Sequence, residues 1–270
     1  MPLDPLFLAT AVEAVLAAGR AQLDQFGRAS ISKKGRIDLV TNVDIEIEIA
    51  FRRLVAGRFP SHRVLGEELS TADDRLPASH CWMFDPVDGT TNYAHGLPFF
   101  CSSLALEVDG QLEVAAVFDP TRQELFSAER GTGARLNGRP IRVSGEVRIT
   151  DAMLCTGFPY TVHESADEAL GLFGCFLRRA RAVRRLGSAA LDLCYVAAGR
   201  LDGFWERGLK PWDIAAGALL VQEAGGLVTG CDGSGFRSRG EEVLASNGGI
   251  HESMLATVAD WMAEGRSRTD

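Results

Sequence analysis

The chain of 270 residues predicts a mixed fold, an α+β half followed by an α/β half. Three observations carry this reading. A long amphipathic stretch opens the chain. Alternating apolar runs separated by tight-turn residues fill Cys101 to Ser144. Beyond about residue 145, short apolar runs and helical patterns take turns. The division near that point gives two expected units, residues 1–145 and 146–270.

Residues 3–26 predict the first helix, since Leu8, Val12, Val15, Leu23 and Phe26 recur on one face with alanines filling much of the rest. Ser30–Lys34 predicts a short edge strand. Residues 41–58 are read as helix against their own periodicity. Val43, Ile45, Ile47, Ile49 and Phe51 alternate as a strand would. However, Thr41-x-x-Asp44 has the form of a capping box, and the pattern continues through Leu54 and Val55, longer than most strands. As a helix it puts Val43, Ile47, Phe51 and Leu54 on one face and Ile45 and Ile49 opposite, so both sides are expected to be covered.

Val64-Leu65 leads into Gly66-Glu67-Glu68. The polar stretch Leu69–His80, with Pro77, is expected to be a mobile loop. Cys81-Trp82-Met83-Phe84 predicts the end of a buried strand. Asp109-Gly110 and Asn137-Gly138 are hairpin-turn signals within the antiparallel region. Gly131-Thr132-Gly133 lacks the third glycine of a dinucleotide fingerprint. In the second half, strands are expected at Met153–Thr156, Ala182–Arg184, Asp202–Glu206, Leu227–Thr229 and Val243–Ala245. Helices are expected at 164–180, from a Ser188 cap to Ala198, at Pro211–Glu223 and at 250–263. The tail Gly265–Asp270 is expected to be disordered.

With 36 acidic against 28 basic residues the net charge is -8, which argues against direct nucleic-acid binding. None of the six cysteines forms a C-x-x-C pair, so buried free thiols in a reducing compartment are expected. The N-terminus shows no basic segment followed by an apolar core, and no apolar run of membrane-spanning length is visible. These features point to a cytoplasmic protein without a membrane role.

The stretch Asp85-Pro86-Val87-Asp88-Gly89-Thr90-Thr91-Asn92 is where chemistry concentrates. Asp85 and Asp88 offer hard oxygens of the kind Mg2+ or Mn2+ prefers. Gly89 permits close backbone approach, and Thr90 and Thr91 open a helix whose free N–H groups suit an anion. The same residues would also make an ordinary acidic turn. An EF-hand is excluded, because Val87 and Gly89 occupy positions that need acids or Asn and the twelfth residue is Gly96. Asp213 comes after Pro211-Trp212 at a helix start, where a charge favourable to the helix is the plain alternative. Arg184-Arg185-Leu186-Gly187-Ser188-Ala189 joins two cations to a helix N-terminus, or is a solvated patch. Lys33 and Lys34 could attract an anion or simply solvate a strand end.

Asp85–Asn92, Trp212-Asp213-Ile214-Ala215-Ala216-Gly217 and the acid in Gly66-Glu67-Glu68 together resemble the motifs of the inositol monophosphatase family, in its order and spacing, over nearly the whole chain. The bacterial inositol-1-monophosphatase branch is the most similar. The resemblance implies a layered αβαβα sandwich with the site between the halves. It implies two or three Mg2+ ions: Glu67, Asp85 and the Val87 carbonyl hold the first, Asp85, Asp88 and Asp213 the second, and a weaker third lies near Glu67. Gly89 and Thr90 N–H groups would bind phosphate, while Gly187, Ser188, Ala189 and Glu206, with Arg184, would meet a phosphorylated polyol. Glu67, Thr90 and Asp44 are the candidates to orient the attacking water and take its proton, Asp44 being equally readable as the acid of the Thr41 capping box. A homodimer and inhibition by Li+ are further implications. Other small phosphates (sugar, nucleotide or histidinol phosphate) remain alternative substrates, and an added protein-binding role is a different class of function.

Overall fold

The computed structural model describes residues 4–33, 39–76, 78–164 and 166–266. These residues stack in five layers, helix, sheet, helix, sheet, helix, as the resemblance implies. The first layer holds α1 (Leu6–Gln25) and α2 (Asn42–Arg58), with the antiparallel pair β1 (Ile31–Lys33) and β2 (Leu39–Thr41) between them in sequence. The second is a sheet of seven strands in chain order: β3 (Arg63–Gly66), β4 (His80–Asp88), β5 (Cys101–Val108), β6 (Gln111–Asp119), β7 (Glu124–Glu129), β8 (Ala134–Leu136) and β9 (Arg139–Pro140). A five-residue helix, α3 (Thr90–Ala94), links β4 to β5. β3 runs parallel to β4, and the other pairings are antiparallel.

The second half contributes β10 (Met153–Thr156), α4 (Ala166–Leu177), β11 (Ala182–Arg184), α5 (Ala189–Ala197), β12 (Gly203–Arg207), α6 (Pro211–Glu223), β13 (Leu227–Thr229), β14 (Glu242–Ser246) and α7 (His251–Arg266). Its sheet has the order β11-β10-β12-β14-β13, with the first three parallel. α5 and α6 lie between the two sheets. Their core joins Met83, Ala115 and Val117 of one sheet to Phe204, Val243 and Ala245 of the other. α6 is buried without interruption from Ile214 to Val221, as a helix apolar all round must be. α4 and α7 cover the outer face over Leu154, Trp205 and Leu244.

α2 is a helix, with Val43, Ile47, Phe51 and Val55 buried and Thr41 and Asp44 forming its capping box. The expected cover on both sides is corrected: Ile45 and Ile49 are each 37% exposed. One row of apolar residues four apart suffices to seat the helix, and the alternation reflects β-branched residues on its outer face. α1 is long and apolar enough by length and composition to cross a membrane, contrary to the sequence expectation. In this fold its face from Phe7 to Gln22 packs on the first sheet beside Leu104, Val114 and Phe118. The segment after Gly66 is anchored: Arg52 donates to Ser70 Oγ (3.1 Å) and Asp74 (3.5 Å), and a short 3-10 turn spans Asp73–Arg75. α7 continues through Arg266, so the expectation of a disordered tail is corrected for Gly265 and Arg266, and residues 267–270 lie outside the described residues. Lys34 and the Lys33 side chain also lie outside them, as does Pro77.

Candidate metal and phosphate site

The acidic motif is built by a defect in β4. Asp85 pairs with Ser103 and Asp88 with Cys101, so three steps on β4 oppose two on β5. Pro86 has no N–H for the ladder, and the extra residue forms a bulge there. On a regular strand, residues three apart face opposite sides. The bulge turns Asp85 and Asp88 into one cleft. Two buried groups hold it: the Pro86 carbonyl accepts from Gln22 Nε2 (2.7 Å) and Ser102 Oγ (2.8 Å). Gly89 then takes φ +94°, and a Cβ there would lie 3.0 Å from the Phe99 carbonyl, so only glycine fits.

The cleft has a volume of about 730 Å3 and is lined by Glu67, Asp85, Val87, Asp88, Gly89, Thr90, Gly187, Ser188, Ala189, Glu206 and Asp213. These come from the ends of β3, β4 and β12 and the starts of α3, α5 and α6. The parallel strands β10 and β12 point their C-terminal ends at it, the usual crevice of such sheets.

Hydrogen bonds fix one oxygen of each central acid. Asp85 Oδ1 accepts from Val87 N (2.9 Å). Asp88 Oδ2 accepts from Ser188 Oγ (2.5 Å) and Ala190 N (2.8 Å), tying the first half to the start of α5. Asp213 Oδ2 accepts from Lys210 N (2.8 Å). Burial, and then the charges of Glu67, Asp88, Asp213 and Asp44, hold the Asp85 carboxyl well above the usual carboxylate range. Burial and Asp88 push Asp213 up to about 8, with the Lys210 N–H opposing. Burial, with Asp192 next, pushes Glu206 up to about 8, with Arg185 opposing. Asp88 is raised by burial, against the donors from Ser188 and Ala190.

No three acidic, histidine or cysteine side chains among the described residues converge on one point as they stand. Divalent cations nevertheless fit this donor set. The largest charge effects on buried Asp85 come from four carboxylates, and a buried charge needs a partner. Hard carboxylate oxygens suit Mg2+, and each held acid keeps a second oxygen for it.

Asp44 lies behind the cleft and is fully buried. Its Oδ2 accepts from Thr41 N (3.0 Å) and from the Thr41 hydroxyl, while Oδ1 faces Thr90 Oγ1 at 3.4 Å. Thr90 Oγ1 donates more closely to the Val87 carbonyl, at 2.9 Å. The capping role is therefore occupied, and Thr90 is within reach as well. The expectation for Arg184 is corrected. It is exposed at the end of β11, its nearest acceptor the Val183 carbonyl (3.3 Å), and its neighbour Arg185 lines the cleft instead. β11 ends at Arg184, and Arg185 is the first residue of the connection that leads over the cleft to Gly187 and Ser188.

Asp192 escaped the sequence reading. It lines the cleft, 1% exposed, with Oδ1 lacking a hydrogen-bond partner among the described residues. Burial holds its carboxyl well above the usual range, with the Cys155 thiol beside it opposing. The available signal was its place four residues after the Ser188 cap, on the same helix face, in an otherwise apolar α5.

Comparisons with known proteins agree with this geometry. The sequence profile of the inositol monophosphatase family matches residues 6–263. Inositol-1-monophosphatase of Synechocystis sp. is 42% identical over 263 residues, covering 96% of this chain and 91% of that one. Nus factor SuhB of Pseudomonas aeruginosa is 45% identical over 233 residues, covering 85% and 86%. The structure of inositol monophosphatase from Anabaena (Nostoc) superposes with a TM-score of 0.84 at 39% identity, covering 94% of this chain and 96% of that one.

Proposed function

The chain belongs to the inositol monophosphatase family, a metal-dependent family of phosphatases, and from that premise we propose that it hydrolyses inositol monophosphate to inositol and phosphate with Mg2+, Mn2+ being able to replace it. The observation that carries this reading is the meeting of Glu67, Asp85, Asp88 and Asp213 in one cleft with Glu206 and the Gly187–Ala189 turn. Glu67, Asp85 and the Val87 carbonyl would hold one ion, and Asp85, Asp88 and Asp213 a second, with a third near Glu67. When bound, the ions supply Lewis-acid chemistry, lowering the pKa of water and neutralising charge on the phosphate and the leaving oxygen.

The chain supplies the rest. The N–H groups of Gly89 and Thr90 hold the phosphate at the opening of α3. Glu67 and the Thr90 hydroxyl orient the attacking water, and Asp44 is placed to receive the proton that Thr90 passes on. Glu206, Gly187, Ser188 and Ala189 meet the ring hydroxyls, with Arg185 taking the part expected of Arg184. The same reading expects a homodimer in a reducing cytoplasm, consistent with six buried free cysteines.

Phosphate release measured over inositol, sugar, nucleotide and histidinol phosphates and a simple aryl phosphate tests this. Inositol monophosphate should give the highest kcat/KM, with loss of activity in millimolar Li+. Glu206→Ala should raise KM for inositol phosphate by about 3–10-fold, the usual worth of a hydrogen bond, and leave the aryl ester nearly unchanged. A higher kcat/KM on another phosphate would replace the substrate assignment, and equal losses on both esters would give Glu206 a metal or structural role.

A second reading keeps this site and adds a protein-binding role. What favours it is that relatives at 42–45% identity carry the name Nus factor SuhB. Retention of that role by an Asp85→Asn protein without turnover would separate it from catalysis.

A further inference from the structure

We infer that Glu48 is a positioning residue, which from the second turn of α2 sets the backbone on both sides of Glu67 and thereby the affinity of the cleft for its divalent ions. Glu48 is fully buried, and a buried carboxylate persists only where it is compensated. Its partners are few and specific. Oε2 accepts from Glu68 N (2.8 Å), and Oε1 accepts from Leu69 N (3.2 Å) and Arg52 Nε (2.9 Å). On the other side of Glu67 the carboxyl lies directly against Gly66, where a Cβ would stand 2.3 Å from Oε1. Arg52, one helical turn further on, donates to Ser70 Oγ (3.1 Å), and that hydroxyl accepts from Gly66 N (2.7 Å). The turn from Gly66 to Ser70 is thus closed around Glu48 and Arg52, with Glu67 inside it.

The helix itself makes this more than a local contact. Asp44 and Glu48 are four residues apart and share one buried face of α2. Asp44 addresses Thr90, next to the segment that carries Asp85 and Asp88, and Glu48 addresses the turn that carries Glu67. One rigid element therefore registers the two acidic segments against each other. Glu67 and Asp85 come from different strands, so an ion held by both needs this registration. Groups that orient metal ligands from behind change metal affinity by about 10–100-fold when removed.

The inference rests on Glu67 being a metal ligand, and the test separates the two. Glu48→Gln preserves shape, but its amide cannot accept from both Glu68 N and Leu69 N. Mg2+ and Mn2+ binding is measured by calorimetry on the folded protein, far below its melting temperature, beside phosphatase activity against metal concentration. Expected is a metal Kd raised about 10–100-fold, with kcat recovered at saturating metal. An unchanged Kd in Glu48→Gln, while Glu67→Gln weakens binding, overturns the positioning role. An unchanged Kd in Glu67→Gln overturns the ligand assignment instead. Should Glu48→Gln fail to fold, Ser70→Ala reads the same closure from the loop side. It should raise the metal Kd several-fold, and an unchanged Kd there overturns the proposal equally.

Discussion

Two helices begin near the cleft with an acid at the third position, α2 behind it and α6 on its wall, and they use it differently. In α2, Asp44 is fully buried and both oxygens face protein donors, Thr41 on one side and Thr90 on the other. In α6, Asp213 keeps partial exposure at the cleft, which it lines, and caps Lys210 N with one oxygen. The same local device, a side chain folded back onto the N-cap amide, leaves one acid wholly engaged by the fold and the other shared with whatever enters the cleft. The difference comes from where each helix begins. α2 lies on the outer layer behind α3, whereas α6 begins between the sheets, beside the ends of β4 and β12. Capping a helix does not bar an acid from the proposed metal role, because a carboxylate has two oxygens.

Asp85 lies between the two helix starts and feels both acids, so its removal should have the largest effect. Asp85→Asn is expected to abolish turnover, by about 10³-fold or more, since it is assigned to two ions and an amide cannot replace its charge. Phosphate release at ordinary and at high Mg2+ checks this, and near-normal activity in either condition would undo the site.

The second prediction sets the two caps against each other. Asp213→Asn should weaken metal binding above all, so that activity returns in part as Mg2+ is raised. Asp44→Asn should lower stability by roughly 0.5–2 kcal/mol, the usual worth of a cap, and lower kcat by about 10²-fold through the Thr90 contact. Raising Mg2+ should not rescue it. Thr90→Ala should share the loss in kcat without the loss in melting temperature. If Asp44→Asn melts early yet turns over normally, the contact to Thr90 carries no proton and Glu67 alone orients the water.

Much of this was legible because it is local. Thr41-x-x-Asp44 and Pro211-Trp212-Asp213 announce their helices within four residues, and two acids around a Pro-Val pair mark the segment that lines the cleft. The family motifs then placed Glu67. What stayed hidden depends on partners far apart in the chain. Gln22 reaches Pro86 across 64 residues, and Asp88 reaches Ala190 across 102. Neither Gln22 nor Glu48 differs in sequence from an ordinary helix-surface residue. The β4 bulge was hidden for another reason: Pro86 signals a break in the ladder but not the direction in which the flanking acids turn. Arg184 and Arg185 show the same limit, since a one-residue difference in where β11 ends decides which of them meets the cleft.

The smallest expected effect concerns protonation, and it sharpens the contrast between a shared acid and an engaged one. Asp213 is raised from 3.8 to about 8 and Glu206 from 4.5 to about 8, both chiefly by burial. Asp85, Asp88 and Asp192 are raised in the same direction. Without metal, the folded protein keeps protons on these groups that the unfolded chain releases once the pH passes its ordinary carboxylate range. The folded state then binds more protons than the unfolded one, so stability falls as pH rises. The contribution of Asp213 and Glu206 is fully present below pH 3.8–4.5 and is lost as pH climbs through about 8. The melting temperature in chelator should therefore decline by several degrees between about pH 5 and pH 8. Saturating Mg2+ should flatten most of that decline, because a cation favours the ionised form of the acids it touches and binding releases their protons. The part that belongs to Glu206 should persist if Glu206 meets the alcohol half of the substrate, as proposed, and not the ions. Glu206→Gln should remove that remainder of the slope in the presence of Mg2+, and Asp213→Asn should reduce the slope only in its absence. A pH slope untouched by Mg2+ would mean that the acids of the cleft do not share an ion, and the distinction between the two helix starts would lose its chemical basis.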